Sequence, residues 1–87
     1  MRRLEGPLDF AHVPEWLEQS REWVAAGTAL NLELGAVTRC DSAGLSLLLE
    51  LARRARAASA ELKLLNAPPQ MRELLDFYRL NELFTLA

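Results

Sequence analysis

Ala29-Leu30-Asn31-Leu32-Glu33-Leu34, and seven residues later Asp41-Ser42-Ala43-Gly44-Leu45, decide the fold of this chain. In the first stretch Leu30, Leu32 and Leu34 alternate with Ala29, Asn31 and Glu33, the period of a strand with one buried face. The second stretch opens a leucine-rich run from Leu45 to Ala58 with helical spacing. Asp and Ser are good helix N-caps, because their side-chain oxygens accept the first free backbone N–H groups. A strand over 28–34, a loop over 35–41 and a helix over 42–58 follow. This order sets a hydroxyl, that of Ser42, at the positive end of a helix. The position suits a partner contact, an anion or a covalent phosphate. The plainer alternative is that Asp41 and Ser42 cap the helix and do nothing more.

Outward from this core, residues 3–10 read as a short strand interrupted by Gly6-Pro7, which points to an edge or a bulge. Residues 12–26 read as a helix with Val13, Trp16, Leu17, Trp23 and Val24 on one side, and Gly27 stands where a C-cap is expected. Residues 61–66 form a further strand, with Leu62 and Leu64 on one face and Lys63 on the other. Pro68-Pro69 starts a third helix, because proline is tolerated in the first turn. Met71, Leu74, Leu75 and Tyr78 make its apolar stripe, and Leu83 to Leu86 form a last short strand or an extended tail. Strand and helix alternate throughout. The expected fold is therefore α/β, a single domain over 1–87 with a mostly parallel sheet and right-handed crossovers. Asn31, Glu33 and Lys63 would be out of place on a sheet covered twice, so the helices gather mainly on one face.

The helix over 42–58 carries a wider apolar arc than one sheet needs. Leu45, Leu48, Leu49, Ala52 and Ala55 make one stripe, while Leu47, Leu51 and Ala58 fall on another side together with Arg54. Either neighbouring helices cover Leu47 and Leu51, or these leucines extend an exposed partner surface beside Ser42.

Composition narrows the function. A net charge of −2 and a pI of about 5.3 do not fit a general nucleic-acid binder. Arg53, Arg54 and Arg56 cluster on a helix of an acidic protein and read as a solvated face. No long uncharged apolar run suggests a membrane span, and Met1 to Gly6 has no apolar core for a signal peptide. The expected location is the cytosol, at a membrane only through a partner. Cys40 is the one cysteine, so no intrachain disulfide forms; it reads as a small buried hydrophobe between strand and helix. His12 is the one histidine and reads as a surface residue near a helix start. No Ser-His-Asp or Cys-His set, zinc cluster or glycine-rich phosphate loop is evident. An enzyme using Cys40 or Ser42 as nucleophile would lack a base. No enzyme activity, cofactor or metal is expected, and the chain looks built to bind a protein.

The element order and the run Val37-Thr38-Arg39-Cys40-Asp41-Ser42-Ala43-Gly44-Leu45, followed by Leu47-Leu48-Leu49, resemble a STAS domain, over nearly the whole chain. STAS domains are shared by anti-sigma-factor antagonists and the cytosolic tails of sulfate transporters. Within that family the pattern from Thr38 to Leu49 is most similar to the MlaB group, the small STAS subunit of the Mla phospholipid transporter of Gram-negative bacteria. The resemblance implies a non-catalytic subunit that binds the ATPase of an ABC transporter at the cytoplasmic face of the inner membrane. A permease and a substrate-binding subunit would be reached through the complex. It places Ser42 on the binding surface, with Arg39, Asp41, Ala43, Gly44 and Leu45 around it and Leu47 and Leu51 alongside. The alternative is an anti-sigma-factor antagonist acting by partner switching. Those proteins typically read Asp-Ser-Ser-Gly and are phosphorylated immediately before the glycine. Ala43 occupies that position here and has no hydroxyl. Family members also carry a strand before the one expected at 3–10, so a first strand is missing or lies upstream.

Overall fold

The computed structural model describes residues 1–86. Four strands, β1 (Arg2–Leu8), β2 (Leu30–Cys40), β3 (Leu62–Leu65) and β4 (Thr85–Leu86), form one sheet in the order β1-β2-β3-β4. Every pairing between neighbours is parallel. Three α-helices make the crossovers: α1 (Val13–Gln19), α2 (Ser42–Ala57) and α3 (Pro69–Phe77). Sequential strand order with crossovers of one hand puts all three on one side of the sheet. Burial agrees. Leu4, Leu8, Leu30, Leu32, Leu34, Leu62 and Leu64 are buried beneath the helices, while Arg3 and Glu5 are exposed and Asn31, Glu33 and Lys63 half-buried on the other face. The α/β fold, the parallel sheet and the one-sided helices expected from the sequence are all present.

The segment 35–41, expected to be a loop, is strand as far as Cys40. The reason is visible in the register. Arg3 pairs with Glu33 but Glu5 with Ala36, and Gly6 pairs with Val37 but Pro7 with Arg39. At each step β2 spends one more residue than β1, so two bulges lie in this pair. The buried residues of β2 then stand three apart, at Leu34, Val37 and Cys40, and the alternation that marks a strand is lost. Gly6 takes φ +74° beside the second bulge, a conformation that costs glycine little.

The first helix is shorter than the expected 12–26. It gives way to a 3₁₀ turn at Ser20–Glu22, and residues 23–29 are irregular. Ser20 is fully buried and its hydroxyl donates to the Leu17 carbonyl (3.0 Å), a local bond of the kind that competes with helix continuation. Gly27 is therefore not the cap of α1. It sits in a later turn and donates its N–H to the Ala58 carbonyl (3.0 Å). Trp16 and Trp23 still pack edge to face, with centroids 6.3 Å apart, against the margin of the core. The third helix ends at Phe77 and the final strand is confined to Thr85–Leu86.

Leu47 and Leu51 are 1% and 0% exposed, and Leu45 is 4% exposed. Of the two readings of the wide apolar arc, the one in which neighbours cover it is correct. Residue Arg54, on the same side, reaches the buried Ser20 at the end of α1 (Nη1 to Oγ 3.4 Å), so this side of α2 faces α1.

Gly44 is buried in the first turn of α2. A Cβ built there would stand 2.6 Å from the Cys40 sulfur, 2.6 Å from the Leu8 carbonyl oxygen and 2.9 Å from the Leu8 Cβ. All three contacts are closer than real Cβ atoms come, and the Leu8 oxygen is backbone that cannot rotate away. Alanine at this position would gain about 1 kcal/mol of helix propensity against about 1–3 kcal/mol or more of overpacking. Gly44→Ala is expected to lower stability despite the better helix former, read as a lower urea midpoint with an unchanged slope. An equal or higher midpoint would show that the helix can lift off the strand ends at no cost.

Candidate functional site

In a parallel sheet all strands finish at the same end. Leu8 and Cys40, the last residues of β1 and β2, are register partners, and both chains turn there. The Asp41 N–H still donates to the Leu8 carbonyl (3.3 Å), which fastens the start of α2 to the end of β1. Asp41 itself is extended (φ −112°, ψ −167°), and its Oδ1 accepts from the Ala43 N–H (2.8 Å) and the Gly44 N–H (3.3 Å). This is the cap read from the sequence. It also has a chemical consequence. The first free N–H groups of α2 are already taken by a carboxylate of the same chain, so the helix start offers little to an incoming anion.

Ser42 is exposed at the first helical position, and Ala43 is half-buried beside it. One turn further along the helix, the hydroxyl of Ser46 donates to the Ser42 carbonyl (3.1 Å). Arg39 lies just before the turn, 67% exposed in its side chain. The structure thus brings Arg39, Asp41, Ser42 and Ala43 together on one solvent-facing edge. Gly44 lies buried under them. Leu45, Leu47 and Leu51 do not reach the surface, and their expected place on it is corrected accordingly: they are core. The side chains that follow Ser42 along the outer face of α2 are instead Ser46 and the half-buried Leu49, at one and two turns.

A second loop, not identified as part of the site from the sequence, completes this edge. Asp9, directly after β1, is a hub. Its Oδ1 accepts from the Ala11 N–H (3.1 Å), the His12 N–H (3.1 Å) and the His12 ring, and its Oδ2 accepts from Arg39 Nη2 (2.7 Å). Its backbone carbonyl takes the Val13 N–H (2.9 Å). The Asp9 side chain closes the turn that leads into α1 and at the same time ties the β1–α1 loop to the end of β2. A signal was present in the sequence: an Asp directly after a strand, a few residues before a helix with Pro14 in its first turn, is a turn-forming pattern. What could not be read was that Arg39, thirty residues away, closes the same carboxylate. Gln70, in the first turn of α3, adds a third tie, its Oε1 accepting the Cys40 N–H (3.2 Å).

The electrostatics follow from these contacts. The Arg39 guanidinium, and after it His12, hold the Asp9 carboxyl well below the usual carboxylate range, and Asp9 in turn raises Arg39. Burial, with a smaller contribution from Asp41, pushes the Cys40 thiol up to about 11. At neutral pH it is a protonated, buried sulfhydryl that packs under Gly44, far from the thiolate a nucleophile needs. Among the described residues no group of three or more His, Cys, Asp or Glu side chains could hold a metal ion, and no helix is long and apolar enough to cross a membrane. The Arg53 and Arg54 side chains pair with Glu50 on the helix surface. A groove of about 310 Å³ opens at the far end of the molecule, where the end of α2 meets Leu62 and Phe84.

A family model described as "Mlab, STAS domain" matches residues 3–86. The chain belongs to the STAS-domain family. Its pattern is most like MlaB, as the run from Thr38 to Leu49 implied. Among solved structures it is similar to that described as "Structure of the Anti-Sigma Factor Antagonist SpoIIAA in its Unphosphorylated Form". The TM-score is 0.62 at 22% identity, over 98% of this chain and 74% of that one. That likeness is one of fold. No curated protein matches.

The Asp9 contacts predict a pH effect whose sign is fixed. A carboxylate with a folded pKa below its unfolded value of about 3.9 stabilises the fold above that value. The contribution disappears as pH falls and the native carboxylate is protonated. Asp9→Asn is expected to be less stable than the parent at pH 7, with the gap closing progressively below about pH 4. Urea midpoints from pH 7 to pH 2.5 test this; a gap that stays constant would mean that Asp9 acts only through its neutral hydrogen bonds.

Proposed function

We propose that this STAS domain is a non-catalytic accessory subunit that binds, and stabilises or regulates, the ATPase of an ABC-type phospholipid transporter maintaining outer-membrane lipid asymmetry. The domain would occupy the whole of 1–87. Its docking surface is the edge formed by Arg39, Asp41, Ser42 and Ala43, continued along α2 by Ser46 and Leu49. Gly44 acts from beneath by letting that edge sit against the sheet. The permease and the substrate-binding subunit are partners through the complex. The location is the cytoplasmic side of the inner membrane, reached through the ATPase and with no insertion of this chain.

Membership of the MlaB-like branch of the family supports the reading, and so does the site. An exposed hydroxyl on a helix start, beside a thiol that is buried and protonated, is suited to contact with a partner. The observation that carries the choice between partners is Ala43. An antagonist switched by phosphate at the residue before the glycine needs a hydroxyl there, and Ala43 has none. Partner switching in that form is therefore the weaker reading.

The test is direct binding to the ATPase encoded by the same host. Ser42→Asp adds charge and bulk at the centre of the edge. It is expected to weaken the complex at least about tenfold, a loss of about 1.4 kcal/mol, without lowering the urea midpoint. Affinity equal to the parent's would remove Ser42 from the interface.

A further inference from the structure

Phe10 is 84% exposed, the highest exposure of any large apolar side chain described. A single apolar residue on a surface needs no explanation by itself. Three features set this one apart. It lies two residues beyond Leu8, whose carbonyl accepts the Asp41 N–H, so it stands at the same sheet end as Ser42. Its loop is not slack: Asp9 on one side of it and Ala11 and His12 on the other are joined by the Asp9 hydrogen bonds, and Arg39 closes the loop onto β2. The Asp9 side chain is only 13% exposed while the ring beside it stands out in solvent. Fixing an aromatic residue in a solvated position lowers the entropy lost when a partner takes it up.

The charges around it indicate the other half of the contact. Asp9 and Arg39 neutralise each other. Asp41 carries a second carboxylate whose Oδ1 serves the helix cap, and among the described residues it has no ion-pair partner. The edge therefore presents an aromatic ring next to a carboxylate that has no ion-pair partner among the described residues.

We propose that Phe10 is the apolar anchor of the docking edge. It enters a hydrophobic cleft on the ATPase, and a Lys or Arg on the rim of that cleft faces Asp41. The inference rests on the reading of the Arg39–Ala43 edge as the ATPase-binding surface and adds the chemistry the partner must carry. Interface anchors are commonly aromatic side chains filling a pocket, with charged pairs at the rim setting salt dependence.

The experiment measures binding of the full chain and its variants to the purified ATPase from the same host, at 50 and 300 mM NaCl. Phe10→Ala is expected to weaken binding at least about 30-fold, the level of an interface hot spot. Its urea midpoint should match the parent's, since the ring touches no core. Asp41→Asn keeps the cap, because Asn caps as well as Asp. It is expected to weaken binding several-fold at 50 mM and to flatten the salt dependence. If Ser42→Asp disrupts the complex but Phe10→Ala stays within about twofold of the parent, the anchor is wrong and the docking edge stands. If Asp41→Asn keeps the parent's salt dependence, the cationic rim is wrong. If neither Ser42→Asp nor Phe10→Ala weakens binding, or the parent does not bind the ATPase, the docking edge fails and the anchor fails with it. As a second reading, 4-fluorophenylalanine at position 10 should shift and broaden its fluorine signal on adding the ATPase; an unchanged signal at saturation would overturn the anchor.

Discussion

The first turn of α2 rests on the ends of β1 and β2, and a residue without a side chain lets it do so. At Gly44 the space a Cβ would need is held by the Cys40 sulfur and the Leu8 backbone oxygen. That contact fixes the depth at which the helix begins. It places Leu45, Leu47 and Leu48 in the core within the next turn, and it leaves Asp41 at a distance where its carboxylate can close over the Ala43 and Gly44 N–H groups. Raised by one methyl group, the helix would loosen both its packing and its cap. The exposed position of Ser42 has the same origin. Asp41 turns the chain, Gly44 pulls the helix inward, and the residue between them on the outer side is held in solvent.

The second constraint is electrostatic and positional rather than energetic. With the Arg39 guanidinium largely in solvent, its ion pair with Asp9 adds only modestly to stability. Its value lies in geometry. One carboxylate receives donors from the loop after β1, from the ring of His12 and from the end of β2. Two loops that would otherwise move separately become one edge, and Gln70 extends the same fastening to α3. Hydrogen bonds thus join all three crossovers at this end of the sheet.

The groups at this edge are held in defined states. Cys40 is protonated and buried, and the helix start is neutralised by its own cap. What is exposed is a hydroxyl, a ring, a carboxylate and a guanidinium within a few residues of each other in the fold. The other face of the sheet, with Arg3 and Glu5 exposed, carries mixed charge. With the helices on one face and mixed charge on the other, the two sides of this STAS domain are unequal.

By itself the sequence determined the alternation of strands and helices, the one-sided placing of the helices, the capped start of α2 and the family. These depend on local causes: side-chain period, proline and cap chemistry, and charges on every second residue of a strand. The run Leu30–Leu34 and the motif from Asp41 to Leu45 were sufficient for that. Only the tertiary structure decided that residues 35–40 are strand, because two bulges shift the buried positions from every second residue to every third, and a bulge is a property of two paired strands. Only the fold decided that Leu47 and Leu51 are core, since the hydrophobic arc of a helix does not say which neighbour covers it. The partnership of Asp9 with Arg39 and the exposure of Phe10 were equally beyond reach. They arise where loops distant in sequence meet at one end of a parallel sheet, and no local pattern records which loops those are.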